Sequence, residues 1–319
     1  MNKYDVTALG ELLIDFTESG TSPQGNPLLE VNPGGAPCNV LSMLTRLGHA
    51  TNFIGKIGKD MFGDLLSQAL KEVGIGVDGL MFDETVNTTL AFVHTFPDGD
   101  RDFSFYRNPG ADMMLSVDDV KEDQIRNSRI FHYGTLSMTH EGCREATKKA
   151  IGIAEDAGCI LSFDPNLREP LWNSLDEARE QILYGMGHCQ ILKISDNEIQ
   201  WLTGEDDYDD GVRWIKERFN IPLILVSLGG EGSRAYTDSL RVEVPAYVQA
   251  NTIETTGAGD TFCACVLHFV LDHDLKEYSE AELTEMLTFA NAAASIVTTR
   301  KGALRVMPTA DEVKALINS

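Results

Sequence analysis

The residues best suited to chemistry lie at 254–260, where Glu254-Thr255-Thr256-Gly257-Ala258-Gly259-Asp260 runs straight into the apolar stretch Thr261-Phe262-Cys263-Ala264-Cys265-Val266-Leu267. That stretch reads as the start of a buried helix. Two glycines around one alanine let the backbone turn tightly and leave N–H groups pointing outward at the helix N-terminus, where unpaired amides and the helix dipole favour an anion. A phosphate fits such a place. Asp260 brings a carboxylate to the same spot, which is electrostatically awkward unless it accepts a proton from a hydroxyl that attacks the phosphate. On this segment alone, a tight turn with Asp260 as helix N-cap accounts for the pattern equally well.

A second constellation is Pro33-Gly34-Gly35-Ala36-Pro37-Cys38-Asn39, followed by Val40, Leu41, Leu44 and Leu47 at helical spacing. A Gly-Gly pair before a helix lets a ligand approach the backbone, and Asn39 offers donor and acceptor together to a hydroxyl-rich ligand. Asn39 would equally serve as the cap of its own helix. Asp15 follows the apolar Leu12-Leu13-Ile14 and suits two vicinal hydroxyls; the alternative is an exposed aspartate at a strand end.

These residues need a frame. Short β-rich runs at 5–10, 50–57, 129–134, 159–163, 190–194 and 222–227, several nearly continuous in apolar residues, read as central strands of a parallel sheet. Candidate helices at 39–47, 63–73, 141–157, 175–186 and 211–219 alternate with them, which predicts an α/β three-layer sandwich with helices on both faces. The C-terminal part, with 258–271, 280–297 and 310–317, reads as mostly helical. One region breaks the rhythm: 88–96 and 101–107 are β-type runs joined by Pro97-Asp98-Gly99-Asp100, residues that hairpin turns use. With 12–16 and 28–31 they predict a small separate sheet, either a lid or a surface hairpin without function. No repeat or linker interrupts the chain, so a single domain over 1–319 is expected, with a lid from about 12–33 and 88–108.

Composition narrows the partners. The chain of 319 residues is 43% hydrophobic and 24% charged, as in soluble globular proteins. Its net charge of −23 argues against nucleic acid and anionic membrane as partners while leaving room for a local phosphate site. Six scattered cysteines without a CxxC pair predict reduced thiols, no apolar run approaches a membrane span, and the first residues lack a signal-peptide pattern, so a cytoplasmic location is expected. Common signatures are absent. Gly55-Lys56 is followed by Ile57 and Gly58-Lys59 by Asp60, so there is no Walker motif. Phe262 occupies the third glycine position of a dinucleotide fingerprint, and neither the protein-kinase set nor a GxSxG elbow is found. ATP, if used, is handled by another architecture.

Taken together, Gly34-Gly35 with Asn39 and Thr255-Thr256-Gly257-Ala258-Gly259-Asp260 resemble the two signature regions of the ribokinase (PfkB-type) family of sugar kinases, over nearly the whole chain. Within that family the chain looks most like fructokinases. The likeness rests on Phe105-Tyr106-Arg107-Asn108-Pro109-Gly110-Ala111-Asp112-Met113, on Asp164-Pro165-Asn166-Leu167-Arg168 with Leu171-Trp172, and on Lys193-Ile194-Ser195-Asp196-Asn197-Glu198.

The resemblance implies a ribokinase-like fold and a set of roles. Asp260 would be the general base, with the backbone around Gly257, Ala258 and Gly259 holding the transferring phosphoryl group. Asp15, Gly34, Gly35, Asn39 and Asn166 would bind the sugar, with Arg107 and Arg168 on the substrate or phosphate side or, alternatively, in surface ion pairs. Lys193, Ser195, Ser227, Gly229, Gly232 and Asn291 would face the nucleotide. Glu198 would position Mg²⁺ through water, although Ser195 replaces the asparagine of the family's Asn-x-x-Glu motif. Glu254 stands where many members carry aspartate beside a monovalent-cation loop, so K⁺ stimulation is expected. The implied reaction is transfer of the ATP γ-phosphoryl group to the 6-hydroxyl of D-fructose. A 2-keto-3-deoxygluconate kinase, a ribokinase-like kinase and a non-catalytic sugar sensor are the alternatives, and a homodimer through the open edge of the lid sheet is a further expectation.

Overall fold

A computed structural model describes residues 2–95 and 101–319, and the expected turn at 97–100 lies outside them. The described strands are β1 Tyr4–Leu9, β2 Leu13–Thr21, β3 Pro27–Gly34, β4 Thr51–Gly58, β5 Gly76–Asp83, β6 Leu90–Thr95, β7 Arg101–Tyr106, β8 Ser128–Tyr133, β9 Ile160–Phe163, β10 Ile191–Ser195, β11 Leu223–Ser227, β12 Gly232–Tyr236 and β13 Arg241–Pro245. The helices are α1 Ala36–Arg46, α2 Met61–Val73, α3 Glu122–Arg126, α4 Glu141–Asp156, α5 Leu175–Met186, α6 Asp196–Thr203, α7 Tyr208–Lys216, α8 Ala258–His273, α9 Glu280–Val297 and α10 Ala310–Ile317.

Nine strands form the main sheet in the order β13-β12-β11-β10-β9-β8-β1-β4-β5. Neighbours from β11 to β5 run parallel, and β12 and β13 close that end antiparallel. Alternating side chains feed two cores. In β11, Leu223 and Leu225 join the layer of α1, α2, α8, α9 and α10, whereas Ile224 and Val226 join the layer of α4 to α7. The same alternation sends Lys193 of β10, flanked by Leu192 and Ile194, to the α8 side, which decides where its ammonium ends.

Each of the six expected parallel strands is present, with ends shifted by about a residue, as is usual for element boundaries. The structure adds what the apolar pattern did not announce. β5, with Gly76 and Gly79, and β13, with Arg241 and Glu243, are the edge strands, partly exposed and without need of a continuous apolar run, whereas β12 is a short, largely buried strand interrupted by Arg234. The short α6 is set by its ends: Ser195 and Glu198 form a capping box and Gly204 closes it in the left-handed conformation.

The small sheet is separate, in the order β3-β2-β6-β7, with β2 and β6 parallel and the outer pairs antiparallel. β2 extends beyond the expected 12–16 through the polar, largely exposed 17–21, and β3 beyond 28–31 into Asn32-Pro33-Gly34 at its buried end. Phe16 stacks on Phe92 with ring centroids 4.8 Å apart and meets Phe62 of α2 edge-on, which ties the sheet to the body.

Candidate active site

The ends of the parallel strands bring the chemistry together. Glu11 follows β1, Asp164 follows β9 and Ser195 ends β10, all at the carboxyl edge of the sheet, where open α/β folds leave a crevice. α1 and α8 begin at the same edge. α1 starts earlier than its apolar pattern predicts, because Pro37 is compatible with a first turn and the Ala36 amide donates to Glu11 Oε1 at 2.8 Å. Asn39 therefore sits inside the first turn rather than at the cap. Its Nδ2 donates to Asp260 Oδ2 at 2.8 Å.

Asp260 is the third residue of α8, with Gly257 at the cap position, so the alternative of Asp260 as N-cap does not hold. Gly257 has φ +76, and a Cβ there would meet the Cβ of Ala303 at 2.7 Å, so both backbone and space require glycine. The Ala258 amide closes the turn onto the Thr255 carbonyl at 3.2 Å, leaving the amides of Gly259 and Asp260 as donors at the helix start.

A cavity of about 270 Å³ opens onto this carboxylate. Leu13, Asp15 and Phe105 wall it from the small sheet, Glu11, Gly35 and Asn39 from the β1–α1 side, and Asn166, Arg168, Lys193, Gly257, Gly259 and Asp260 from the C-terminal side. Gly34 lies directly under Asp15: a Cβ there would fall 2.3 Å from Asp15 Oδ2. A second cavity of about 390 Å³ runs along Gly229, Ala246, Val248, Ala294 and Thr298. Thr255 and Gly259 line both cavities, so the loop before Asp260 is their shared wall.

Burial dominates the electrostatics. It raises the carboxyl of Asp260 above its ordinary value, against the Asn39 hydrogen bond and the charges of Lys193 and Arg168. Burial lifts Asp15 to about 7, opposed by Arg168 and reinforced by Glu254 and Asp260. Asp164 is likewise lifted to about 7 by burial, with Lys193 opposing, and Glu11 to about 7, with the Ala36 amide opposing. Burial works against the charge on Lys193, yet Asp164, Glu198 and Asp260 together hold it protonated above the usual lysine range. The Lys193 ammonium is 3.1 Å from Asp164 Oδ2 and would lie 3.2 Å from a Cβ on Gly259, hard against the phosphoryl side of the loop.

The sequence-predicted residues divide by placement. Asp15, Gly35, Asn39, Asn166, Arg168, Lys193, Gly257, Gly259 and Asp260 line the first cavity, and Ala258, Gly229 and Asn291 line the second. The Asn291 amide group is spent on the fold, accepting from Ser233 Oγ at 2.8 Å and donating to the Val244 and Pro245 carbonyls, so it shapes that wall. Ser195, Ser227 and Gly232 are on neither lining. Ser195 caps α6, Ser227 ends β11 beside it, and Gly232 starts β12. Glu198 Oε1 accepts from the Leu167 amide and Oε2 from the Ser195 amide, joining α6 to the 164–168 loop. Glu254 Oε1 accepts from the Gly302 amide at 2.8 Å.

Arg107 is the correction. Its guanidinium is buried, 2.7 Å from Asp112, and also donates to Thr139 Oγ1 and the Leu136 carbonyl. It holds the cavity wall from behind and does not line the cavity, nor is it a surface pair. Glu11 and Asp164 were missed. Each directly follows a buried strand at its carboxyl end, and that position was the available signal.

Comparison with known proteins places the chain in a family. The model of a family described as pfkB family carbohydrate kinase matches residues 3–310. Probable fructokinase-4 of Arabidopsis thaliana is 45% identical over 315 residues, covering 98% of this chain and 96% of its own. A fructokinase from Xylella fastidiosa, solved with bound ATP, superposes with a TM-score of 0.89 at 31% identity, covering 99% and 98% of the two chains. A fructokinase from Vibrio cholerae O395, solved with fructose, ADP and calcium ion, gives 0.87 at 28%, covering 99% and 100%.

Proposed function

Because the chain belongs to the pfkB family of carbohydrate kinases, we propose that it is an ATP-dependent fructokinase that converts D-fructose and ATP to D-fructose 6-phosphate and ADP. The observation that carries this reading is the placement of Asp260. It stands at the wall between a small polar cavity and a second cavity, at the N-terminus of a helix.

The sugar occupies the first cavity. Asp15 accepts from its hydroxyls, and the buried Asn39 Oδ1, which has no partner of its own among the described residues, accepts another. Asp260 takes the proton of the attacking 6-hydroxyl as the new O–P bond forms and the bond to the ADP oxygen breaks. The amides of Gly259 and Asp260, with Lys193, stabilise the charge that develops on the phosphoryl oxygens. ATP lies with its base along the second cavity and its phosphates at the shared loop.

The acidic residues near the loop suit Mg²⁺ carried in by ATP. Asp164 is buried against Lys193, whose ammonium lies 3.1 Å from Oδ2, and Glu198 presents a second carboxylate, oriented by two amides. Glu198 would hold Mg²⁺ there through water, and the ion would supply positive charge to neutralise the phosphates. Glu254, tied to Gly302, orders the loop before the phosphoryl site, and K⁺ raises the rate by ordering the same loop. A rate equal in K⁺ and Na⁺ at fixed ionic strength removes the K⁺ proposal alone.

The single domain closes its small sheet over the sugar as a lid, which keeps water from the phosphoryl group. Leu28, Leu29, Val31 and Tyr106 are exposed on that sheet, and the protein forms a homodimer through it. Among the described residues no helix is long and apolar enough to cross a membrane, and the six cysteines are free thiols, the state that a reducing cytoplasmic compartment maintains.

The deciding experiment measures ADP release with Mg·ATP and D-fructose, 2-keto-3-deoxygluconate, D-ribose or D-glucose in parallel, with Asp260→Asn as control. Fast turnover on fructose that Asp260→Asn abolishes is expected. Preference for the keto acid moves the substrate and keeps the chemistry; sugar binding without ADP release replaces the kinase by a sensor. Burial of Arg107 against Asp112 leaves Arg168 as the cavity-lining arginine for a carboxylate, and the relatives named above are fructokinases.

A further inference from the structure

Far from the phosphoryl loop, three side chains that the reaction does not use converge where the end of α1 meets the later turns of α8. His49 Nε2 lies 2.7 Å from His268 Nδ1, and His268 Nδ1 lies 3.7 Å from Asp272 Oδ2. The donor atoms of all three lie within 4.8 Å of one another. We propose that His49, His268 and Asp272 form a binding site for a divalent transition-metal ion, zinc by preference, which braces α1 against α8.

The chemistry of the donors selects the ion. Two imidazoles and one carboxylate are ligands that suit Zn²⁺ and are poor for Mg²⁺ or Ca²⁺, which take oxygen. His268 and Asp272 are four residues apart on one helix, so they share a face and form a chelating pair that needs no backbone change. His49 reaches them from the turn after α1. Its other nitrogen, Nδ1, faces Asp5 Oδ2 at 3.7 Å, the arrangement in which an outer carboxylate holds a ligand histidine in the tautomer that frees Nε2 for metal.

Two ring nitrogens 2.7 Å apart cannot both present lone pairs; something positive must lie between them. In the free protein that is a shared hydrogen-bond proton. A metal takes its place once the rings part to roughly 3.3 Å, the separation of two nitrogens on a tetrahedral zinc with bonds near 2.05 Å.

Charges of both signs face the site from the elements packed around it. Asp5 and Asp272 favour a cation. Arg129, which reaches Asp5 and Asp274, and Lys314 of α10 oppose it, as does His273 when protonated. An open hollow of about 970 Å³, lined by His268 and Asp272 among α8, α9 and α10, supplies the route in and room for a water as fourth ligand. His268 lies two turns beyond Asp260, about 12 Å along the helix at 1.5 Å per residue, so this ion is distinct from any that rides with ATP. The braced helices are the ones that carry Asn39 and Asp260 at their other ends.

The test uses chelator-stripped, full-length protein without Mg²⁺ or nucleotide, titrated with ZnCl₂ by calorimetry, with unfolding followed in parallel. One equivalent of zinc is expected to bind and to raise the Tm. Asp272→Asn, an exposed change that leaves the fold intact, is expected to weaken binding at least tenfold, and His268→Gln to abolish it. A Co²⁺-loaded sample should show the absorption of a tetrahedral nitrogen/oxygen site, lost in His268→Gln. Absence of saturable binding in the unmodified chain, or equal binding by all three proteins, overturns the proposal.

Discussion

Asn39 and Asp260 are 221 residues apart in the chain, yet the Asn39 amide donates to the Asp260 carboxylate at 2.8 Å within a buried site. The bond aims the carboxylate and offsets part of the burial that would keep it protonated. Asn39→Leu removes the donor while keeping the volume. Since a hydrogen bond to a charged group is worth about 1.5–3 kcal/mol, kcat/KM at pH 7 should fall roughly 10- to 100-fold. Steady-state kinetics across pH check this: the acid limb should move to higher pH, and an unmoved limb means that Asn39 acts on the sugar alone.

Asp260 must be deprotonated to act, and burial holds its proton to higher pH than an ordinary aspartate. The rate should therefore rise with pH along an acid limb displaced above the usual carboxylate value of about 3.9. Asp260→Asn should lower kcat by roughly 10²–10⁴ and flatten that limb. An unchanged pH profile in this variant would assign the base elsewhere.

Asp15 is strained for function. Its carboxyl is lifted to about 7 by burial, so the folded state holds a proton that the unfolded chain releases, and stability falls as pH climbs through that range. Asp15→Asn should weaken fructose binding roughly 10- to 100-fold, as expected for a lost charged hydrogen bond. At pH 8 the same variant should melt higher by about 2–4 °C, the response to some 1 kcal/mol. The gain should vanish near pH 4; a gain independent of pH would deny the carboxylate its part.

Arg107 is expected to matter for stability. With both side chains of the Arg107–Asp112 pair only 2% exposed, Arg107→Met leaves a buried charge without its partner, which costs about 3–5 kcal/mol. The melting temperature should drop by roughly 5–10 °C. Adding Asp112→Asn should restore part of the loss, and KM for fructose in the folded fraction should change little. A large KM effect with normal melting would return Arg107 to the cleft.

Much of the fold is legible in the chain because local rules repeat over it. Near-continuous apolar runs mark the central strands, and 175–186, 280–297 and 310–317 have the helical bounds that the pattern predicts. The glycine pairs before Asn39 and Asp260 are equally plain, since the backbone there has few other residues to choose from. Edge strands and α6 escaped because their signals are caps and partial exposure rather than period.

The sequence by itself determined the family, the layer architecture and the glycine-rich loops before Asn39 and Asp260, since each rests on residue type at short range. Tertiary structure decided the partnerships. Whether Arg107 meets substrate or Asp112, whether Asn39 caps a helix or holds Asp260, whether Glu11 enters the cavity and whether Asp164 pairs with Lys193 depend on which strand ends share one edge of the sheet. So does the meeting of His49 with His268. Proximity across the fold sets burial and charge, and through them the proton affinities on which the chemistry depends. No local pattern encodes that proximity.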